Sequence, residues 1–195
     1  LGAEVRSSSG LSDPCRSVAP TGRRAYRSGM DPRPRPAPVA PGQESVWDYP
    51  RPPRVEPSEQ VIEVRLGGRV LARTARSWRV LETSHPPTYY LPRAAFAAGA
   101  LRETVGESWC EWKGRATYFD VVAGDVVAER AAWTYVAPAA GYEVLAGSVA
   151  LYPGRMDACT VDGEPVSAQP GGFYGGWITS RVVGPFKGGP GSTGW

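Results

Sequence analysis

Histidine occurs once in this chain, at His85, and lysine only twice, at Lys113 and Lys187. The three cysteines, Cys15, Cys110 and Cys159, make an odd number without a Cys-x-x-Cys pair, so they form no disulfide framework and leave no zinc set. Asp157 and Asp162 stand five apart, a spacing that does not place two carboxylates on one side of a strand. No apolar run approaches the ~18 residues that span a bilayer, and nothing resembles a charged n-region followed by an apolar h-region. Glycine loops of the Walker or Rossmann type are missing, because the glycines of the C-terminal segment precede no helix. These absences predict a cytoplasmic protein with reduced thiols, no membrane association, no bound metal and no cofactor.

What is present is glycine (24), proline (20) and arginine, in 195 residues with a net charge of +3. Such a length suits one domain with a tail, and burying about two-thirds of the unfolded surface permits a sizeable core. Residues 1 to 57 hold nine arginines and six acids, whereas residues 58 to 195 are balanced at thirteen of each sign. A phosphate-backbone binder concentrates basic charge on a folded face, so a nucleic-acid partner is not expected.

Residues 1–42 carry Ser-Ser-Ser, scattered arginines and the proline run Asp31 to Pro38, which predicts a disordered leader. Because the chain begins at Leu1 and Met30 precedes that run, Met30 is a candidate natural start; an intact native peptide covering Tyr26 to Arg33 would rule this out. Residues 43–57, with Trp47 and Tyr49, read as an extended strap across the domain. The domain proper, residues 58–168, opens with Val61 to Leu66 and Arg69 to Thr74 around Gly67-Gly68, a hairpin signal. Further strands are expected at Arg76 to Leu81, Trp109 to Lys113, Arg115 to Val122, Val126 to Val136, Ser148 to Tyr152, Met156 to Val161 and, after Asp162-Gly163, Glu164 to Ser167. Pro92 to Glu103 is expected to hold a short helix of a turn or two. Eight or nine strands and one short helix predict a mainly β fold, either a compact antiparallel barrel or two packed sheets. Residues 169–195 combine glycine with Phe173, Tyr174, Trp177, Phe186 and Trp195, a composition that fits a tail docked on the domain.

The stretch Glu82 to Arg93 holds the histidine, three prolines and two adjacent tyrosines. If it is extended, Tyr89 and Tyr90 face opposite sides, so one packs in the core and the other lines a surface. His85 suits acid–base work because its ordinary pKa is near neutrality. Cys110 and Lys113 stand three apart, and an ammonium beside a thiol favours the nucleophilic thiolate. Trp133 and Tyr135 share a strand face.

Glu-Thr-x-His-Pro-Pro-x-Tyr-Tyr-x-Pro-Arg (Glu82 to Arg93), Cys-x-x-Lys-Gly-x-Ala-x-Tyr (Cys110 to Tyr118), Ala-Ala-Trp-x-Tyr (Ala131 to Tyr135) and Ala-Leu-Tyr-Pro-Gly-Arg-Met-Asp (Ala150 to Asp157) together resemble the family called domain of unknown function four-two-seven, also catalogued as nucleotidyltransferase-like. The Trp-Asp-Tyr-Pro strap and the Gly-Gly-Phe-Tyr-Gly-Gly-Trp tail look like its actinobacterial branch. The resemblance implies a compact β-tent-like domain, similar to methionine sulfoxide reductase B and the thalidomide-binding domain of cereblon, with an aromatic-lined pocket. Those relatives commonly hold zinc with two cysteine pairs, which this chain lacks. It also has Cys-Glu-Trp-Lys-Gly where members often have Cys-Pro-Tyr-Lys-Gly, and Ala94-Ala95 where an acidic pair usually follows Pro-Arg.

Taken together, the residues predict a domain that holds a small polar or cationic organic ligand, with Tyr89, Tyr90, Trp133 and Tyr135 as walls and His85, Arg93 and Lys113 as polar anchors. The alternative is an enzyme using Cys110 as nucleophile or redox thiol, with His85 as its base and Lys113 beside it. Nucleotidyl transfer, for which Gly147-Ser148 and Asp157 lack a second acid because Cys159 occupies the position, ranks behind both. An interaction module built on the tail comes last.

Overall fold

The structure is a computed structural model and describes residues 34–195. Most of the expected leader, with Met30, lies outside the described residues. Fifteen strands occur in order among the described residues: β1 (Glu44–Ser45), β2 (Arg54–Ser58), β3 (Ile62–Leu66), β4 (Arg69–Thr74), β5 (Ser77–Leu81), β6 (Thr88–Pro92), β7 (Leu101–Cys110), β8 (Gly114–Ala123), β9 (Val126–Tyr135), β10 (Ser148–Leu151), β11 (Ala158–Val161), β12 (Glu164–Pro165), β13 (Ser167–Ala168), β14 (Trp177–Ile178) and β15 (Val182–Val183). The count exceeds eight or nine because β1 and β13 to β15 are two residues long, too short for alternation to show in the sequence, and because β2 and β6 fall in the proline-rich strap and in the Glu82 to Arg93 stretch, where prolines mask the strand pattern.

Seven strands form an antiparallel sheet in the order β2-β5-β6-β10-β9-β8-β7, and four form a second in the order β12-β11-β3-β4. Two small sheets, β1-β15 and β13-β14, complete the set, and the sheets do not close into a barrel. The two larger sheets pack against each other. Ile62, Val64, Leu71 and Val161 from the smaller meet Tyr89, Leu91, Phe119, Val121, Val149 and Leu151 from the larger in one buried cluster. Apolar burial of this kind is the dominant favourable contribution to folding.

The expected short helix is replaced by one 3-10 turn at Arg93–Ala95. Phe96 leaves that turn to bridge Ala72 on β4, Gly99 sits at a φ of 76°, and Leu101 already begins β7, so no helical turn can propagate. Residues 43–57 contribute β1 and the first part of β2, and Val46 and Tyr49 pack with Leu81 and Val182 in a separate small cluster. Trp47 donates its indole N–H to the Pro185 carbonyl at 2.9 Å. The segment from Gln169 onward enters the core: Trp177 is fully buried and tilts against Tyr89 at 5.3 Å between ring centroids.

Candidate functional site

Alternation along the strands gives the seven-stranded sheet two different faces. Tyr89 and Leu91 of β6, Phe119 and Val121 of β8, and Val149 and Leu151 of β10 face the smaller sheet. Tyr90, Ala116, Trp133, Tyr135 and Ala150 belong to a second buried cluster on the other side, with Tyr118 and Tyr152 packed against it. Tyr90 therefore does not open onto a free surface: both tyrosines are buried, in different clusters. Register aligns this second face, since Tyr118 pairs with Trp133, Trp133 with Ala150, and Ala116 with Tyr135. Small alanines set among large rings leave a hollow.

That hollow is a cavity of ≈ 260 Å³. Its sheet-borne lining includes Tyr90, Ala116, Tyr118, Trp133 and Tyr135. Trp133 stacks obliquely on Tyr152 at 4.7 Å and meets Tyr90 edge-on at 6.3 Å, and its indole nitrogen donates to the Tyr90 hydroxyl at 3.3 Å. A more open depression of ≈ 500 Å³ lies beside Glu44, Glu56, Arg79 and Arg181. Its central charges are already paired, because the Arg79 guanidinium bridges Glu44 at 2.6 Å and also Glu56. Aromatic rings line the ≈ 260 Å³ cavity instead.

Two connections bring the chemistry to it. In the loop after β5, Ser84 takes a left-handed backbone (φ 69°) while its N–H donates to the Val46 carbonyl at 3.0 Å and the His85 N–H to the Glu82 carbonyl at 2.9 Å. This tight turn directs His85 to the cavity, and the rings of Pro86 and Pro87 stiffen the backbone between it and β6. Between β7 and β8 a three-residue turn places Cys110 and Lys113 at its ends, closed by Gly114 at a φ of 88°. The C-terminal segment supplies the remaining wall through Gln169, Phe173, Tyr174 and Gly175. A Cβ on Gly175 would lie 2.2 Å from the Trp133 ring, so only glycine lets the segment approach that closely.

Lys113 is 7 % exposed, and among the described residues its ammonium has no carboxylate partner or hydrogen bond. It stands 6.0 Å from the ring centres of both Tyr135 and Tyr142. Burial pushes the Cys110 thiol up, but the Lys113 charge, the backbone N–H groups of Lys113 and Trp112 and the Tyr135 hydroxyl outweigh it and hold the thiol below its ordinary value. Cys159, buried in the main cluster without such neighbours, is pushed up to about 12. Burial above all, with Cys110 nearby adding to it, also keeps the Tyr135 and Tyr90 hydroxyls protonated far into the alkaline range.

His85 is 9 % exposed and faces Tyr174 edge-on at 4.6 Å. Its Nδ1 lies 3.0 Å from the Thr83 carbonyl, so the neutral ring carries its proton there and leaves Nε2 as the basic nitrogen. Burial lowers its pKa, with Lys187 and Arg51 adding to the effect and Glu82 and the Thr83 bond opposing it. The unfolded state thus binds the proton more readily than the folded one. Stability is full above the ordinary histidine value of 6.5 and falls as the pH drops from there toward the folded value. The urea midpoint is expected to decline between pH 7 and 5, and His85→Gln to flatten that decline. An unchanged slope in the variant would assign the acid sensitivity elsewhere.

His85, Tyr90, Cys110, Lys113, Trp133 and Tyr135 thus border one cavity. Tyr89 and Arg93 do not. Tyr89 points to the opposite face of β6 and donates its hydroxyl to Gln60 Oε1 at 2.8 Å. Arg93 lies over the Phe119 ring at 5.0 Å and pairs with Glu103 at 3.3 Å. Asp157 and Asp162 are not part of the cavity lining either: Asp157 accepts the Gly68 N–H at 2.9 Å, and Asp162 accepts that of Val61 at 2.8 Å. Sequence reasoning left Tyr118, Tyr152, Gln169, Tyr174 and Gly175 unassigned. Parity with Ala116 and Ala150 would have found the first two; no local signal marks the others.

The model of the family described as a domain of unknown function, DUF427, matches residues 54–162, just over half of the chain. The chain belongs to the DUF427 family. Among curated proteins, none matches it. The matched part of the DUF427 domain runs from β2 to the turn after β11, and so contains the aromatic sheet face, His85, Cys110 and Lys113 but not Gln169, Tyr174 or Gly175. Among the described residues no helix is long and apolar enough to cross a membrane.

Proposed function

We propose that this DUF427 domain binds a small, flat organic molecule in the cavity between the aromatic sheet face and the C-terminal segment. One observation carries the proposal: four separated parts of the chain converge on a single hollow with aromatic sides and an unpaired ammonium. A cavity of ≈ 260 Å³ suits a ligand of one or two rings, and aromatic walls favour a planar one. The polar anchors are Lys113, His85 and the Tyr135 hydroxyl, with Arg93 no longer among them. The buried positive charge favours an electron-rich oxygen on the ligand over a cationic group.

The test is to fill the hollow. Ala116 is buried on β8 and lines the cavity, so Ala116→Leu adds carbon where a ligand would sit. A panel of flat one- and two-ring compounds is expected to include members that raise the melting temperature of the parent by several degrees, a shift that follows from binding only the folded state. Ala116→Leu is expected to fold and to lose that response. Equal shifts in parent and variant would place the binding elsewhere.

Catalysis at Cys110 is the second reading, and it has a specific support: Lys113 and the Tyr135 hydroxyl both adjoin the thiol. Iodoacetamide is expected to modify Cys110 with an apparent pKa below that of an ordinary thiol, and to spare Cys159 until the protein unfolds.

A further inference from the structure

The polar side of the cavity holds a cationic donor without a counter-group among the described residues. Lys113 presents an ammonium with no partner among the described residues, in a side chain more than nine-tenths buried. The Tyr135 and Tyr90 hydroxyls adjoin each other and stay protonated, and the Tyr90 oxygen already accepts the Trp133 N–H. Acceptors line the cavity as well: the half-buried Cys110 sulfur, His85 Nε2, the Glu82 carboxylate, which is paired with Arg51 at 3.3 Å, and Gln169 Oε1, which is buried without a partner among the described residues. A buried ammonium without a counter-group is costly, which leaves room for one more acceptor on a guest. A carbonyl oxygen meets that need and, unlike a carboxylate, does not repel the sulfur.

The walls add a shape requirement. Trp133, Tyr152, Tyr90 and Tyr118 offer flat rings, and a conjugated skeleton presents a flat face to them. A nucleophilic sulfur, a carbonyl-oxygen site and a slot for a conjugated plane are the three parts that conjugate addition uses. No leaving group or activated water is required.

We propose that Cys110 adds to a flat α,β-unsaturated carbonyl compound seated in the cavity, with Lys113 and the Tyr135 hydroxyl on its carbonyl oxygen. This rests on the binding function proposed above and names the class of molecule bound. The sulfur electron pair forms the bond to the β carbon, and the carbon–carbon π pair shifts to give an enolate. Lys113 and Tyr135 stabilise the negative oxygen. The proton lost by the thiol returns to the α carbon, so the product is the saturated thioether ketone and nothing is oxidised or reduced. Reversal regenerates both partners.

The experiment uses the full chain with benzalacetone as the probe and its saturated counterpart, benzylacetone, as a shape control without electrophilicity. Peptide mass mapping reads Cys15, Cys110 and Cys159 separately, and glutathione serves as the reference thiol. Addition at Cys110 is expected to saturate with benzalacetone concentration and to outrun glutathione by about tenfold or more, as pre-positioning provides. Lys113→Met is expected to slow it about a hundredfold, the usual size for losing one stabiliser of developing charge. Part of the defect is expected to persist at a pH where every thiol is ionised, because the oxyanion partner is still missing, and Lys113→Arg is expected to restore part of the rate. Addition that is linear in concentration and no faster than glutathione would overturn the proposal. If benzylacetone raises the melting temperature while benzalacetone leaves Cys110 unmodified, binding stands and the chemistry falls. With neither a shift nor saturation, both fall.

Discussion

Trp177→Ala is expected to lower the free energy of unfolding by about 3–5 kcal/mol, among the largest effects of any single truncation in this fold. The ring has no exposed surface, joins the main cluster, tilts against Tyr89 and directs its indole N–H toward the Leu151 carbonyl at 3.4 Å. The backbone of the same residue donates to the Pro87 carbonyl at 2.9 Å, which ties the C-terminal segment to the loop that carries His85. Removing the side chain leaves a cavity between two sheets that cannot collapse without parting them. Urea denaturation reads the loss, and Trp177→Phe is expected to recover part of it. Deleting Gln169 to Trp195 is expected to cost more than the point variant. A truncated chain as stable as the parent would show the segment to be an appendage and would refute its place in the core.

Trp133→Ala is expected to cost a comparable ~3–5 kcal/mol and also to abolish ligand binding. The ring is only 8 % exposed and touches Tyr90, Tyr152 and Gly175. It is both a wall of the hollow and a member of the second buried cluster, so the two losses come together. Trp133→Phe separates them: it keeps the aromatic packing while giving up the N–H bond to Tyr90. Stability near that of the parent with weakened binding is the expected pattern for Trp133→Phe. If Trp133→Ala bound ligand as the parent does, the hollow would not be the binding site. Unfolding midpoints and thermal shifts on the same samples decide it.

Much of this arrangement is written in local pattern. The Gly67-Gly68 and Asp162-Gly163 turns fix hairpins, since Gly67, Gly68, Asp162 and Gly163 all adopt positive φ. The alternation of β8 and β9 fixes which rings share a face. His85, Cys110 and Lys113 could be named as chemically apt residues from type and spacing, and the fold brings them to one cavity. Other features depend on pairings that no short stretch encodes. Tyr89 and Tyr90 both look like wall residues until the sheet order puts β6 inside the sheet, with a buried cluster on each face, which leaves only Tyr90 at the cavity. Arg93 looks like an anchor, but the 3-10 turn that replaces the expected helix carries it over Phe119. The tail contribution is hardest to foresee, because Tyr174 and Gly175 reach the cavity only through docking that their own neighbours do not dictate.

That docking divides the labour of the cavity. The floor and the reactive groups come from the stretch that defines the DUF427 family, whereas Gln169, Phe173, Tyr174 and Gly175 come from beyond it. Under the proposed binding function, exchanging only the terminal segment is expected to reshape the roof and with it the choice of guest, while leaving the thiol and ammonium beneath it untouched.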